Sequence, residues 1–446
     1  MSSLSPSRGM RIFGIVWFGQ FISLIGSGLT SFVLGLWVYQ LTGSVTQFAL
    51  ILFSGTLPRI LLSPLAGALA DQWDRRWMML LSDAGSGLSV LSIALLFFTH
   101  QLAIWQIYVA TAAGAICGTF QFPAYVATTT LLVPKQQLGR ANGMLQLGLA
   151  AQDILAPLLA GILIAAIHLG GVLIIDVATF CFAVFTLLIV RFPSPVISRE
   201  GRTGNGLLLR EAFYGWSYIV ARPGLLGLLV FFAATSFING MIGALIYPLI
   251  LAFTAATQLS FVISIAGGGM LLSSLVMSAW SGPKSRIGGV LGSQLVFGLG
   301  LLFIGLRPSI LLIGFGALVA HLMLPVNNVT NQAIWQSKVA AGAQGRVFAM
   351  RQMVAKAMTL LAFLLAGPLA DKVFNPLLAL HGLLAGGLGR LIGVGPGRGI
   401  GLMFVIMGVL TILTVSVGYF NSRLRLVEKE LPDTDEAPLV MNGVSG

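Results

Sequence analysis

The sequence predicts an all-α integral membrane protein in which twelve transmembrane helices form two six-helix bundles, with both termini cytoplasmic. Three observations carry that reading. Of the 446 residues, 57% are hydrophobic and only 9% are charged, against about 25% charged in ordinary soluble domains. Apolar runs long enough to cross a hydrocarbon core about 30 Å thick, which takes about 20 helical residues, recur along nearly the whole chain. The net charge of +12 is also placed asymmetrically: with both ends inside, twenty Lys and Arg fall on the inner side and four, Arg307, Lys372, Arg390 and Arg398, on the outer. Such asymmetry orients helices in a membrane, so the basicity needs no polyanion and no nucleic-acid partner is expected.

The first bundle occupies residues 1–192. Its spans are expected at 12–39, 46–70, 77–99, 102–133, 141–167 and 171–192. Two arginines precede a first apolar run far longer than a signal-peptide core and no A-x-A-like site follows, so the first helix is expected to stay. Residues 193–223 are the longest polar interruption and read as a cytoplasmic linker. Within it, 207–220 has apolar residues at helical spacing around Arg210 and Glu211, which suits either an amphipathic helix on the inner leaflet or a solvated connector.

The second bundle, 224–421, has spans at 224–253, 258–280, 287–306, 309–336, 347–371 and 399–421, and a cytoplasmic tail follows at 422–446. Residues 376–395 are nearly apolar enough for a thirteenth span, but they hold six glycines, His381 and Arg390. Counting them would also move Arg423, Arg425 and Lys429 outside, so an external loop or interfacial helix is expected. The 55 glycines include Gly26/Gly28, Gly267 to Gly269 and Gly298/Gly300, positions suited to close helix packing. Cys117 and Cys181 both fall in spans and read as small core residues.

One phrase is written twice: LAGALADQWDRR at 65–76 and LAGPLAD at 365–371. The shared heptad reads as a packing device for a helix end, with Ala66/Ala70 and Ala366/Ala370 four apart and an acid at the water boundary. Only the inner copy meets arginines. That copy resembles the loop signature of the major facilitator superfamily between its second and third helices, matching at Gly67, Leu69, Asp71, Arg75 and Arg76, with Asp74 where the family usually has glycine. The resemblance implies a cytoplasmic latch between the halves formed by Gly67, Asp71, Asp74, Arg75 and Arg76; a plain topogenic loop is the alternative.

Residues 122–146, 343–357 and 392–399 are similar to the branch of that family typified by macrolide efflux proteins and enterobactin exporters. This implies export of an amphipathic small molecule, drug-like, macrolide-like or siderophore-like. The family's antiporter signature in the fifth helix finds Gly143, Gln152, Ala156, Pro157, Ala160 and Gly161 at its six places. Gly143, Pro157 and Gly161 match, which favours export; a Pro-kinked helix with small contact residues explains them too. The family's fourth-helix arginine has no counterpart in 102–133.

Ionisable groups within a bilayer are expensive and mark function. Asp153 and Asp176 are the carboxylates read as lying inside spans, with Arg59 at a depth that would let it pair with Asp153. These three are the ion-coupling candidates, a structural ion pair being the rival reading for Asp153. On the tenth span His321, Asn327, Asn328, Asn331 and Gln332 are dense enough to suggest a cavity wall, joined by Gln20, Ser23, Ser27, Gln121 and Tyr125 on the first and fourth helices. Lys356 reads as snorkelling to the inner headgroups. No nucleotide loop, metal cluster or nucleophile constellation occurs, so neither catalysis nor a cofactor is expected.

The expectation is therefore a monomeric multi-pass exporter of a bacterial inner membrane, driven by protons. An importer of the same fold, and a non-transporting scaffold or lipid-handling protein, are the rivals.

Overall fold

The computed structural model describes residues 6–190, 214–279, 283, 285–340 and 343–420. The side chains of 6–8, 67, 68, 70–72, 135, 153 and 279 lie outside the described set, so the expected roles of Gly67, Asp71 and Asp153 fall there. So do residues 191–213, most of the linker, and 421–446, the tail.

The described chain is built from helices. The first half contains α1 (Pro6–Thr42), α2 (Val45–Gln72), α3 (Arg75–Phe98), α4 (Ile104–Leu132) and α5 (Leu138–Ile189). The second contains α6 (Pro223–Leu251), α7 (Ala256–Ala279), α8 (Arg286–Leu306), α9 (Ile310–Lys338), α10 (Gln344–Pro368) and α11 (Arg398–Phe420). These eleven are long and apolar enough to cross a membrane. A straight helix of 52 residues would be about 78 Å long, more than twice the hydrocarbon thickness. Instead α5 leaves helical geometry at His168 (φ 55°, ψ −174°) and is two helices, 138–167 and 169–189, where the sequence predicts two spans.

Residues 376–395 form no spanning helix. A π-helical turn, Leu369–Phe374, extends α10; short helices Asn375–Leu377 and Gly389–Ile392 follow, and buried Leu378 and Ile392 pack on Leu402 of α11. In the linker, 214–220 is helical and Ile219 is buried, while 207–213 lies outside the described residues. Cys117 is half-buried, but Cys181 is exposed, contrary to the core position expected. It shares the outward face of its helix with exposed Phe182 and Phe185, a surface suited to lipid.

The two halves repeat one pattern. Asp74 caps α3 by accepting from Arg76 N and Trp77 N, and Ser285 caps α8 by accepting from Gly288 N. The next residue in each case, Arg75 or Arg286, donates to a carbonyl of the following helix, Ala127 at 3.0 Å or Ala333 at 3.4 Å. Ala127 and Ala333 each stand 23 residues beyond the first residue of their helices, Ile104 and Ile310. The structural counterpart of Asp74-Arg75 is thus Ser285-Arg286. The twin heptads instead end α2 and continue α10, helices that pack on each other across the halves.

Arg75, Arg76, Arg140, Arg222, Arg286 and Arg346 mark a basic face, and Arg307, Lys372, Arg390 and Arg398 the far face. Near the far face, one apolar core joins the halves, with Leu36, Val45, Ala49 and Leu173 packed with Ala244, Leu249, Ala366 and Ile400. Towards the basic face the cores are separate: Val16, Met79, Leu145 and Leu187 in the first half, and Leu225, Leu291, Trp335 and Val347 in the second. The halves are therefore closed together at one end only.

Candidate functional site: a polar cavity between the halves

A cavity of about 690 Å³ lies along the inner side of the first half. Gln20, Ser23 and Ser27 of α1, Arg59 of α2, Gln121 of α4, and Gln152 and Asp176 of α5 line it, and Lys356 of α10 faces them from the second half. Leu24, Leu52, Ile93, Phe122 and Phe180 complete an amphipathic wall. Its size is that of sites for drug-sized ligands. Hydroxyls are tolerated here because each can bond its own helix backbone; Ser89, for example, donates to Gly85 O at 2.9 Å.

Of the predicted wall residues, Gln20, Ser23, Ser27 and Gln121 are on it. Tyr125 is not: it is buried, with a hydroxyl lacking a partner among the described residues. The amides of the tenth span are not on it either. Asn327 is buried inside the second half and donates to Gln294 Oε1 at 2.6 Å; Asn331 is buried beside it. Asn328 is exposed and Gln332 half-buried. His321 Nδ1 pairs with Ala317 O at 2.9 Å. Asn327 and His321 thus find partners within the bundle, which hides them from lipid as well as a cavity does. Lys356 also lines the cavity, from the second half.

Asp176 is fully buried; Oδ1 faces Thr179 Oγ1 at 3.4 Å and Oδ2 has no partner among the described residues. Behind Gln20 and Gln121 lies a further carboxylate, Asp83 of α3. Gln20 Nε2 donates to Asp83 Oδ2 at 2.6 Å, and Gln121 Nε2 donates both to Gln20 Oε1 at 2.6 Å and to Asp83 Oδ1. The three side chains close a ring across three helices. Sequence reading missed Asp83, although it lies eight residues past Arg75, about 12 Å into the span.

The far end is shut by the other copy of the heptad. Asp371 accepts from Ser44 Oγ (2.8 Å), Val45 N (3.1 Å), Thr46 N (2.9 Å) and Thr46 Oγ1 (2.7 Å), so an acid of the second half caps the first turn of α2 in the first half. A Cβ on Gly367 would lie 2.3 Å from Thr46 Cα, so only glycine permits this approach. Tyr39 adds a hydrogen bond to Pro248 O at 3.2 Å. The outer heptad, expected to be mainly a packing device, is a fastening between the halves. At the basic face Arg76 donates to Leu187 O and Leu188 O, so Arg75, Arg76 and Asp74 all bond within their own half in this conformation.

The sequence matches the family model described as Major Facilitator Superfamily over residues 16–363. The chain belongs to the major facilitator superfamily. It is a transporter of that family, not an enzyme. Curated relatives include macrolide efflux protein A of Streptococcus pyogenes, 27% identical over 379 residues (81% of this chain, 90% of that one). Multidrug efflux pump Tap of Mycolicibacterium fortuitum is 24% identical over 371 residues (80% and 88%). Among solved structures, a bacterial homolog of the human lysosomal transporter Spinster, in an inward-facing and unoccupied conformation, shares the major facilitator fold at TM-score 0.70 and 14% identity, covering 96% of this chain and 98% of that one. The nucleoside transporter NupG does so at TM-score 0.67 and 13% identity, covering 91% and 98%.

In this major facilitator chain the antiporter-motif positions differ in role. Gly161 lies against Ser260 of α7, at the contact between halves, whereas Gly143 has open space and Pro157 sits inside α5.

Proposed function

We propose that the chain exports amphipathic small molecules across a bacterial cytoplasmic membrane by proton antiport, its halves rocking around the cavity. Counting α5 as two spans gives twelve, and the positive-inside rule puts the basic face and both termini in the cytoplasm. The chain acts as a monomer. The observation that carries the reading is the cavity itself: a mixed polar and apolar wall of about 690 Å³, in a molecule whose halves are fastened at the far face and separate at the basic one. That geometry is one state of an alternating-access cycle, loaded from the cytoplasm. The efflux proteins among the relatives favour drug-like or macrolide-like cargo.

In the opposite state Gly67, Asp71, Asp74, Arg75 and Arg76 latch the basic face, as Asp371 fastens the far one here. Asp153 exchanges a proton, paired with Arg59 when ionised, and Asp176 is a second acid on the wall. Gly143, Pro157 and Gly161 shape the helix that slides on α7. The test is flux of a radiolabelled macrolide in oriented proteoliposomes under an imposed pH gradient. The expected result is movement from the basic-face side to the far side against proton flow, abolished by Asp153→Asn. Movement in the same direction as protons would make the chain an importer, and absence of flux would leave a non-transporting scaffold.

A further inference from the structure

We propose that Asp83 is a proton-binding site, and that it shows its charge state to the cavity through Gln20 and Gln121. The repeat carries the argument. Asp83 stands eight residues after Arg75 at the head of α3, and Gln294 stands eight after Arg286 at the head of α8. Gln121 and Asn327 each stand seventeen residues after the first residue of α4 and of α9. The second half builds the matching network, Asn327 Nδ2 donating to Gln294 Oε1 at 2.6 Å and Gln294 Nε2 reaching Thr235 Oγ1 of α6 at 3.4 Å. Both halves thus tie their first, third and fourth helices through polar groups that are buried or half-buried. The second does so with no ionisable group.

Helix tying therefore needs an amide, not an acid. An ionised carboxylate is far costlier to bury than an amide, so the acid in the first half calls for a use beyond structure. The ring also has the means to signal. As it stands both Asp83 oxygens accept from amide N–H groups, the arrangement an ionised carboxylate wants. When a proton from cavity water bonds to an Asp83 oxygen, that oxygen becomes a donor. An amide must then turn its carbonyl to it; if Gln121 turns, its Nε2 no longer reaches Gln20 Oε1. Gln20 and Gln121 both line the cavity, so proton binding changes the polar groups offered to cargo there.

Among the described residues, few other charges compete at this depth. On α4, Tyr125 and Cys117 are the titratable residues within reach of the Asp83 charge. From α1 the facing group is Gln20, with Arg11 nine residues closer to the basic face. On the second limb of α5, Asp176 lies four residues nearer the far face than Phe180, which packs on Gly87. On α3 itself Arg75 and Arg76 lie about two turns away, bonded to carbonyls. Arg59 and Lys356 are across the cavity.

The assignment rests on the proton-coupled reading above, and its test separates the two. Wild-type protein in detergent is treated with an apolar carbodiimide, which adds to protonated carboxyl groups, and the adducts are mapped by peptide mass spectrometry. Labelling of Asp83 that grows as pH falls and is slowed by erythromycin is expected; no adduct at any pH overturns the proposal. In proteoliposomes Asp83→Asn, which copies the amide of the second half, should lose gradient-driven erythromycin accumulation but keep gradient-independent exchange. Full retention of gradient-driven accumulation in Asp83→Asn also overturns it. If wild-type protein itself moves no erythromycin by either route, the exporter reading fails, and the adduct map alone judges Asp83.

Discussion

Replacing Asp371 with asparagine should release the far face. Its carboxylate accepts four hydrogen bonds from the first turn of α2 and its cap, between 2.7 and 3.1 Å. A hydrogen bond to a charged group contributes about 1.5–3 kcal/mol net, a neutral one about 0.5–1.5. A carboxylate beside a helix N-terminus adds about 0.3–1 kcal/mol. Asparagine removes the charge, keeps one acceptor oxygen and points an NH₂ group at backbone and hydroxyl donors. Because Asp371 is half-buried and both it and its partners regain water when the halves part, these figures are discounted by about half, and the loss is about 2–3 kcal/mol. All of it falls on the equilibrium between states, since the bonds cross from one half to the other. At about 1.4 kcal/mol per decade the closed far face loses roughly 30- to 150-fold in relative population. Spin labels at Gln101→Cys and Arg307→Cys, on far-face turns of the two halves, would report this by double electron–electron resonance. A longer-distance population should appear or grow in Asp371→Asn. An unchanged distance distribution would refute the idea that this acid holds the halves together.

Other outcomes follow from the same geometry. Gly367→Val should also open the far face, because its Cβ would meet the Thr46 backbone; the same labels check it, and an unchanged distribution would show that α2 and α10 do not need this approach. Asp71→Asn should move the balance the other way, favouring the basic-face-open state, read by faster maleimide labelling of a cysteine on that side; an unaltered rate would remove Asp71 from the latch. His168→Gly should raise thermal stability by about 1 kcal/mol, since φ 55° with ψ −174° is a glycine region, less the entropy glycine adds to the unfolded chain. A lower melting temperature would show that the imidazole contributes more than its backbone strain costs.

The architecture was legible because lipid imposes it: an unpaired backbone is intolerable there, so apolar length and loop charge report helices directly. The site was only half legible. Gln20, Ser23, Ser27, Gln121, Arg59 and Asp176 do line the cavity. The amides of α9 misled because a polar residue hidden from lipid can face a cavity or another polar residue, and composition cannot distinguish the two; Asn327 found Gln294. Asp83 was overlooked because the arginines just before it dominate the local pattern, and its mates lie 63 and 38 residues away in sequence. The role of Asp371 depends on contact with a segment 325 to 327 residues away, which no local pattern announces. The repeat register, Asp83 with Gln294 and Gln121 with Asn327, could have been read by aligning the helix starts.

The most direct test of the whole account is access to the cavity. A single cysteine at Ser27, on the cavity wall, is probed with membrane-impermeant maleimides applied from one side of the membrane or the other. Labelling from the basic-face side is expected in wild-type background, with a shift towards labelling from the far side when Asp371→Asn is added. Equal labelling from both sides in every variant, as in an open channel, or labelling from neither, would contradict alternating access to this cavity.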